Sequence, residues 1–147
     1  MEETNFYITD LANLPWPQAI FRCRYTALFD AAIREVPADR PESAQPLVEN
    51  VARSLTPEQL SQCDYHRPDW VLAAELAIDC WRERGSVRRS DIGVALDERL
   101  VLSDDTRWAA ESFFIEPIWI DGPLLGNGQH RICAMKLAGV RRCLVER

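Results

Sequence analysis

The sequence predicts a single α+β domain spanning residues 1–147, in which a helix-rich N-terminal part packs on a small mixed sheet. The length of 147 residues and the hydrophobic content of 47% suit one domain with a buried core. Over residues 1–103, apolar side chains recur mainly at intervals of three and four, the spacing typical of helices. Beyond Phe113, strand-forming residues and a hairpin-turn dipeptide predict that residues 104–147 form the core that contains the sheet.

The N-terminal part divides into helices at its prolines. Pro17 suits the first turn of a helix that continues through Ile33 and ends before Pro37. A helical stripe resumes over residues 47–55. Thr56-Pro57-Glu58-Gln59 then places an N-cap threonine three residues before a glutamine, with proline at the first helical position, and this pattern predicts a capping box.

Further helices follow from two kinds of signal. A longer helix is predicted to begin near Pro68-Asp69, and its wide apolar face indicates a central position. Ser90-Asp91 and Ser103 are N-cap candidates. They predict a short helix over residues 94–100 and another around residues 108–113.

A hairpin is predicted after Phe113. Residues 117–120 are strand formers, Asp121-Gly122 is a hairpin-turn dipeptide, and Leu124-Leu125 suits a brief returning strand. Gly126-Asn127-Gly128 follows, and its flexibility predicts a loop, neither strand nor helix.

The chain is predicted to end with a helix and a strand. The helix starts at Gln129 and is closed by Gly139 at its C-cap, and residues 140–145 form the last strand. Few residues of this helix require contact with solvent, which indicates that the helix is packed on most sides.

The charge distribution restricts the partners. The net charge of −6 opposes general attraction to nucleic acid or to an anionic membrane. Residues 129–147 nevertheless carry +4, which leaves −10 on residues 1–128. This asymmetry fits a small anionic ligand held at one place better than a long polyanion, so DNA binding by this chain alone is not expected.

The cysteines and histidines predict neither disulfides nor a metal site. The cysteines are odd in number, widely spaced and lack a CxxC pair: Cys23, Cys63, Cys80, Cys133 and Cys143. His66 and His130 have no second ligand at metal spacing, and His66 is interpreted as structural. A cytoplasmic protein is expected, with no membrane partner, because neither a spanning segment nor a signal-peptide pattern is found.

One motif carries chemistry: Gly126-Asn127-Gly128-Gln129-His130-Arg131, between a strand and a buried helix. The glycines let backbone amides approach a ligand, the helix N-terminus supplies free N–H groups, and Arg131 adds a forked cation. Together they predict an anion site, with phosphate as the anion. An ordinary tight turn is the equal alternative from local chemistry alone.

About the last forty residues resemble the core of the ParB/sulfiredoxin superfamily. The resemblance is carried by the box Gly128-Gln129-His130-Arg131-Ile132-Cys133-Ala134, after a strand opened by proline and before Ala-Gly and a final strand. It implies a nucleotide ligand, CTP, ATP or ADP, with Mg²⁺. Gly128 and Arg131 match positions that hold phosphates in the family, and His130 stands where histidine alternates with arginine.

The resemblance also bears on the reaction. Sulfiredoxin chemistry is not expected, because Gln129 stands where that enzyme has its nucleophilic cysteine, and Cys133 is interpreted as a core residue. The superfamily includes free-serine kinases, so NTP hydrolysis or phosphoryl transfer to a small molecule is a candidate activity. Asp121 and Glu116 are the candidate catalytic bases, with Mg²⁺ between carboxylate and phosphates. The alternatives are that Asp121 only forms the turn and that Glu116 is only solvated.

Two other functions stay open on the sequence. A non-catalytic regulatory or protein-interaction module would keep the fold and bind a partner protein through its acidic helices. An accessory DNA-binding protein is the third candidate, although the acidic stretch 97–105 would repel phosphates.

Overall fold

The computed structural model describes residues 5–84, Leu96 and residues 103–147, and in these residues the fold is α+β. The described part contains six α-helices and two antiparallel two-stranded sheets. The strands are β1 (Phe6–Asp10), β2 (Trp119–Asp121), β3 (Leu124–Asn127) and β4 (Arg142–Glu146). The helices are α1 (Thr26–Ile33), α2 (Gln45–Ser54), α3 (Pro57–Ser61), α4 (Trp70–Arg84), α5 (Asp104–Ile115) and α6 (Gln129–Ala138).

The two ends of the described chain pair with each other. Strand β1 runs antiparallel to β4, with Phe6 opposite Glu146 and Asp10 opposite Arg142. The interpretation of the N-terminal part as helical missed β1, because a five-residue strand needs its distant partner to be stable. The prediction of a mixed sheet is wrong for the described strands, since both pairs are antiparallel. One bond joins the pairs, from the Glu146 N–H to the Ile118 carbonyl at 2.7 Å.

The β2–β3 hairpin turns where Asp121-Gly122 predicts it, but β3 is longer than expected. Gly126 and Asn127 belong to the strand, and Asn127 lies opposite Trp119 in the register. The prediction of a loop at these two residues is therefore wrong. Pairing across an irregular register between Trp119 and Ile120 holds the flexible residues extended.

The helices α2, α4, α5 and α6 occupy the predicted segments, and Gly139 ends α6 in a left-handed conformation. The helix predicted from Pro17 is wrong over its first half, because α1 begins only at Thr26. Arg22 has a φ of 58°, which interrupts a right-handed helix. Ile20 is fully buried against α1, α2 and α6 residues, and the segment from residue 14 to residue 25 forms neither helix nor strand. The predicted N-cap at Ser90-Asp91 and the helix over 94–100 lie outside the described residues, apart from Leu96.

Helix α6 separates the two clusters of the core. Ile132, Ala134 and Met135 face the larger cluster, which holds α4, α5 and the β1–β4 pair. Cys133 faces the smaller cluster, formed with Phe29 and residues of α2. Because α6 is covered on both sides, its first turn is held firmly at the place where the predicted ligand motif lies. No helix in the described part is both long and apolar enough to cross a membrane.

The capping box at α3 gives a first testable prediction. The Thr56 hydroxyl accepts a bond from the Gln59 N–H at 3.1 Å, and the Gln59 side chain accepts one from the Thr56 N–H at 2.9 Å. Thr56→Ala is expected to lower the free energy of unfolding by about 1 kcal/mol, as measured by urea denaturation. Thr56→Ser keeps the hydroxyl and should stay within about 0.3 kcal/mol of the parent; an equal loss in both variants would refute the role of the cap.

Candidate functional site

A cleft of about 440 Å³ lies at the N-terminus of α6. Its wall is formed by Phe21, Arg22, Tyr65, Glu116 and residues 127–131. Four separate parts of the chain thus meet here: the irregular segment before α1, the turn after α3, the residue that follows α5, and the end of β3 with the first turn of α6. The last five predicted phosphate-site residues are brought to one surface, and Glu116 joins them.

The first turn of α6 presents free backbone donors. Gly128 is the N-cap with a φ of 93°, and no side chain caps the helix. The bond from the Ile132 N–H to the Gly128 carbonyl, at 2.9 Å, opens the helical series. The amides of Gln129, His130 and Arg131 therefore have no intrahelical acceptor, and the positive end of the helix dipole lies at the cleft.

Arg131 is buried below the cleft and bonds to the end of α5. Its guanidinium donates to the carbonyl of Ser112 at 2.9 Å and, through Nη2, to the carbonyl of Glu116. Burial lowers the pKa of Arg131 to about 10, while the nearby Glu116 carboxylate acts in the opposite direction. The side chain therefore remains a cation at neutral pH, but its bonds close a helix C-terminus.

Three other residues of the motif support the loop with their side chains or their lack of one. Gly126 lies beneath the Trp119 ring and outside the cleft wall; a Cβ there would lie 2.0 Å from a ring carbon. The side-chain amide of Asn127 donates to the Pro117 carbonyl at 2.8 Å, and the side-chain amide of Gln129 donates to the Leu125 carbonyl at 3.2 Å.

The two predicted catalytic carboxylates are not brought together. Glu116 lines the cleft just after α5 and is exposed. Asp121 lies exposed at the hairpin turn and is not one of the residues that form the cleft wall. Only Glu116 is placed to contact a ligand in the cleft.

Around the His130 ring the structure assembles a group that the sequence reasoning missed. The Tyr65 ring stacks on it, with centroids 4.1 Å apart and planes 22° apart. The His66 Nε2 lies 3.4 Å from the His130 Nε2. Burial and, to a smaller extent, the adjacent His130 lower the pKa of His66 to about 4, so His66 is neutral at pH 7.

Two cysteines complete this group. The Cys63 Sγ lies 3.8 Å from the His130 Nε2 and 3.8 Å from the Cys23 Sγ. The ligand atoms of Cys23, Cys63 and His130 all lie within 4.8 Å of one another, so the cluster could hold a metal ion. A hydrogen bond from Cys23 lowers the pKa of Cys63, and the same bond raises that of Cys23. The contact thus shifts the pKa values of the two thiols in opposite directions.

The sequence predicts no metal site when the candidate ligands are required to stand close together on one element. The cluster draws on three segments, and only folding brings Cys23 and His130 to Cys63. One local signal was available: Cys63-Asp64-Tyr65-His66 places a thiol and an imidazole three residues apart. No comparable signal marks Phe21 or Arg22 as part of the cleft.

Comparisons of the chain with protein-family models, curated proteins and solved structures found no significant match. The class defined by fold and site is thus an α+β protein with a cleft at a helix N-terminus beside a Cys/His cluster. The superfamily resemblance depends on the residue box alone.

Proposed function

We propose that the cleft binds a small phosphate-bearing ligand, a nucleotide such as CTP, ATP or ADP with Mg²⁺. The observation that carries the proposal is the uncapped first turn of α6 facing the same cleft as the Arg22 side chain. Arg22 is exposed and makes no hydrogen bond or ion pair with any residue in the described part of the chain. Backbone donors and a free cation on one cleft are the groups that bind phosphate.

The proposal gives Arg22 the role that the motif suggested for Arg131. The amides of Gln129, His130 and Arg131 would donate to phosphate oxygens, and Arg22, on the wall of the same cleft, would pair with their charge. Arg131 would contribute its charge from beneath. Because this guanidinium already donates to two carbonyls, it supplies positive electrostatic potential but few free hydrogen-bond donors.

Two further residues fit a nucleotide. Phe21 is 62% exposed at the cleft, which is unusual for a large apolar side chain and suits stacking of a base. The Glu116 carboxylate would repel a bare phosphate, but it would bind Mg²⁺ or accept a hydroxyl proton in phosphoryl transfer. The resemblance of the 128–134 box to nucleotide-binding members of the ParB/sulfiredoxin superfamily supports the same ligand class.

A thermal-shift panel of CTP, ATP, ADP and GTP, each with Mg²⁺, tests the proposal. At least one nucleotide is expected to raise the melting temperature in a concentration-dependent manner. Arg22→Gln should weaken the binding of that nucleotide by roughly tenfold or more, since a hydrogen bond to a charged group contributes about 1.5–3 kcal/mol. Isothermal titration calorimetry measures the change in Kd directly.

The matched control is Arg24→Gln. It removes the same charge two residues further along the chain, from a side chain that does not line the cleft. It should leave the Kd within about twofold, because screened surface charges contribute little. Equal weakening by both variants would reduce the effect to net charge. No stabilisation by any nucleotide would overturn the proposal and favour the protein-interaction module.

A further inference from the structure

Beyond the cleft, we propose that Cys23, Cys63, His66 and His130 bind one zinc ion in a structural site. The site would join three segments: the irregular stretch before α1, the turn between α3 and α4, and the first turn of α6. It does not depend on the nucleotide proposal, although His130 borders both places.

Three of the distances between the ligand atoms fit a tetrahedral ion. The His66 imidazole lies outside the group of Cys23, Cys63 and His130, whose ligand atoms are within 4.8 Å of one another, so it would move toward the sulfurs on binding. With Zn–S near 2.3 Å and Zn–N near 2.0–2.1 Å, tetrahedral angles place two sulfurs about 3.8 Å apart, two nitrogens about 3.4 Å apart, and a mixed pair about 3.5–3.6 Å apart. The structure has 3.8 Å between the Cys23 and Cys63 sulfurs and 3.4 Å between the two Nε2 atoms. The mixed pair of Cys63 and His130 is at 3.8 Å.

The surroundings suit a thiolate-imidazole site. The Tyr25 N–H donates to the Cys23 Sγ at 3.4 Å, and such amide donors stabilise a thiolate. Stacking against Tyr65 fixes the plane of the His130 ring with Nε2 toward the other three residues. Two thiolates and two neutral imidazoles balance the charge of Zn²⁺, so burial of the complex leaves no net charge. An S₂N₂ set in tetrahedral arrangement favours zinc over the hard cations Mg²⁺ and Ca²⁺.

The local backbone gives the ion a structural task. Arg22, with its left-handed φ of 58°, directly precedes Cys23, and the segment there forms neither helix nor strand. A residue other than glycine in this region needs its neighbours to hold it. Coordination of Cys23 would hold it, and with it the cleft residues Phe21 and Arg22.

The test measures metal in the full chain purified without added chelator. Elemental analysis and native mass spectrometry are expected to find about one zinc per chain. Replacement by Co²⁺ should give the strong visible bands of a tetrahedral site together with thiolate-to-cobalt charge transfer in the near ultraviolet. Absence of metal after growth with zinc, with no uptake of Zn²⁺ or Co²⁺ by the reduced protein, would overturn the proposal.

Substitutions distinguish the four proposed zinc ligands from a cysteine outside the site. Cys63→Ser and Cys23→Ser should each lose most of the bound zinc and the charge-transfer band. Cys143→Ala, at a buried cysteine outside the cluster, should keep both. His66→Gln should lower zinc affinity at least tenfold and change the cobalt spectrum; an unchanged affinity would overturn its assignment as fourth ligand.

If a serine variant fails to fold, the Co²⁺ spectrum of the parent still decides, since a cobalt complex without thiolate bands contradicts the site. A disulfide between Cys23 and Cys63 in the freshly purified protein, detected by thiol counting, would also contradict it. Neither measurement involves a nucleotide, so the two proposals fail independently.

Discussion

Arg131→Met is expected to lower the free energy of unfolding by about 3 kcal/mol. The side chain is 4% exposed, and its guanidinium bonds the Ser112 and Glu116 carbonyls at the end of α5. Methionine keeps the apolar stem but removes both bonds: the Ser112 carbonyl keeps only the Glu116 N–H, and the Glu116 carbonyl loses the Arg131 donor. Each hydrogen bond to a charged group contributes about 1.5–3 kcal/mol. Relief from burying a charge offsets part of that loss.

Urea denaturation followed by circular dichroism measures the change, and Arg141→Met is the matched control. Arg141 is exposed, so the same substitution there should change stability by no more than about 0.5 kcal/mol. Similar small losses in both variants would mean that the carbonyls find other donors, and Arg131 would then be free for a ligand.

The contacts of Arg131 depend on residues far from it in the sequence. The residue box correctly locates a helix N-terminus with free amides, because glycine, helix periodicity and the C-cap are local signals. What the guanidinium bonds is decided by carbonyls 15 and 19 residues earlier in the chain. The sequence predicts Arg131 as a phosphate ligand, and the fold in addition gives its guanidinium two bonds at the end of α5 that no local pattern indicates.

The same distinction applies to the fold as a whole. Helices α2, α3, α4 and α5 lie close to their predicted positions, since apolar spacing and the caps at Thr56 (α3) and Ser103 (α5) are visible within a few residues. Strand β1 and the irregular segment before α1 were missed, because β4 and the buried Ile20 contacts fix them. Long-range packing also assembles the Cys/His cluster, which no local pattern except Cys63-x-x-His66 indicates.

Gly128→Ala is the second large expected effect, a loss of about 4 kcal/mol in the free energy of unfolding. Two costs add at this residue. Its φ of 93° is a conformation that side chains rarely adopt, which costs about 1–3 kcal/mol. A Cβ would also lie 2.6 Å from the Ile118 Cγ1, and overpacking of a fully buried side chain costs a further 1–3 kcal/mol.

Gly139→Ala separates the two costs, because Gly139 has a similar φ of 78° but nothing within 4 Å of a Cβ. It should lose only about 1 kcal/mol, the conformational part alone. The difference between the two variants, measured by urea denaturation, then gives the Ile118 contact. Equal losses would show that Ile118 yields to a methyl group. In that case the glycine is required for its backbone conformation, and close packing against Ile118 does not fix the position of the α6 N-terminus.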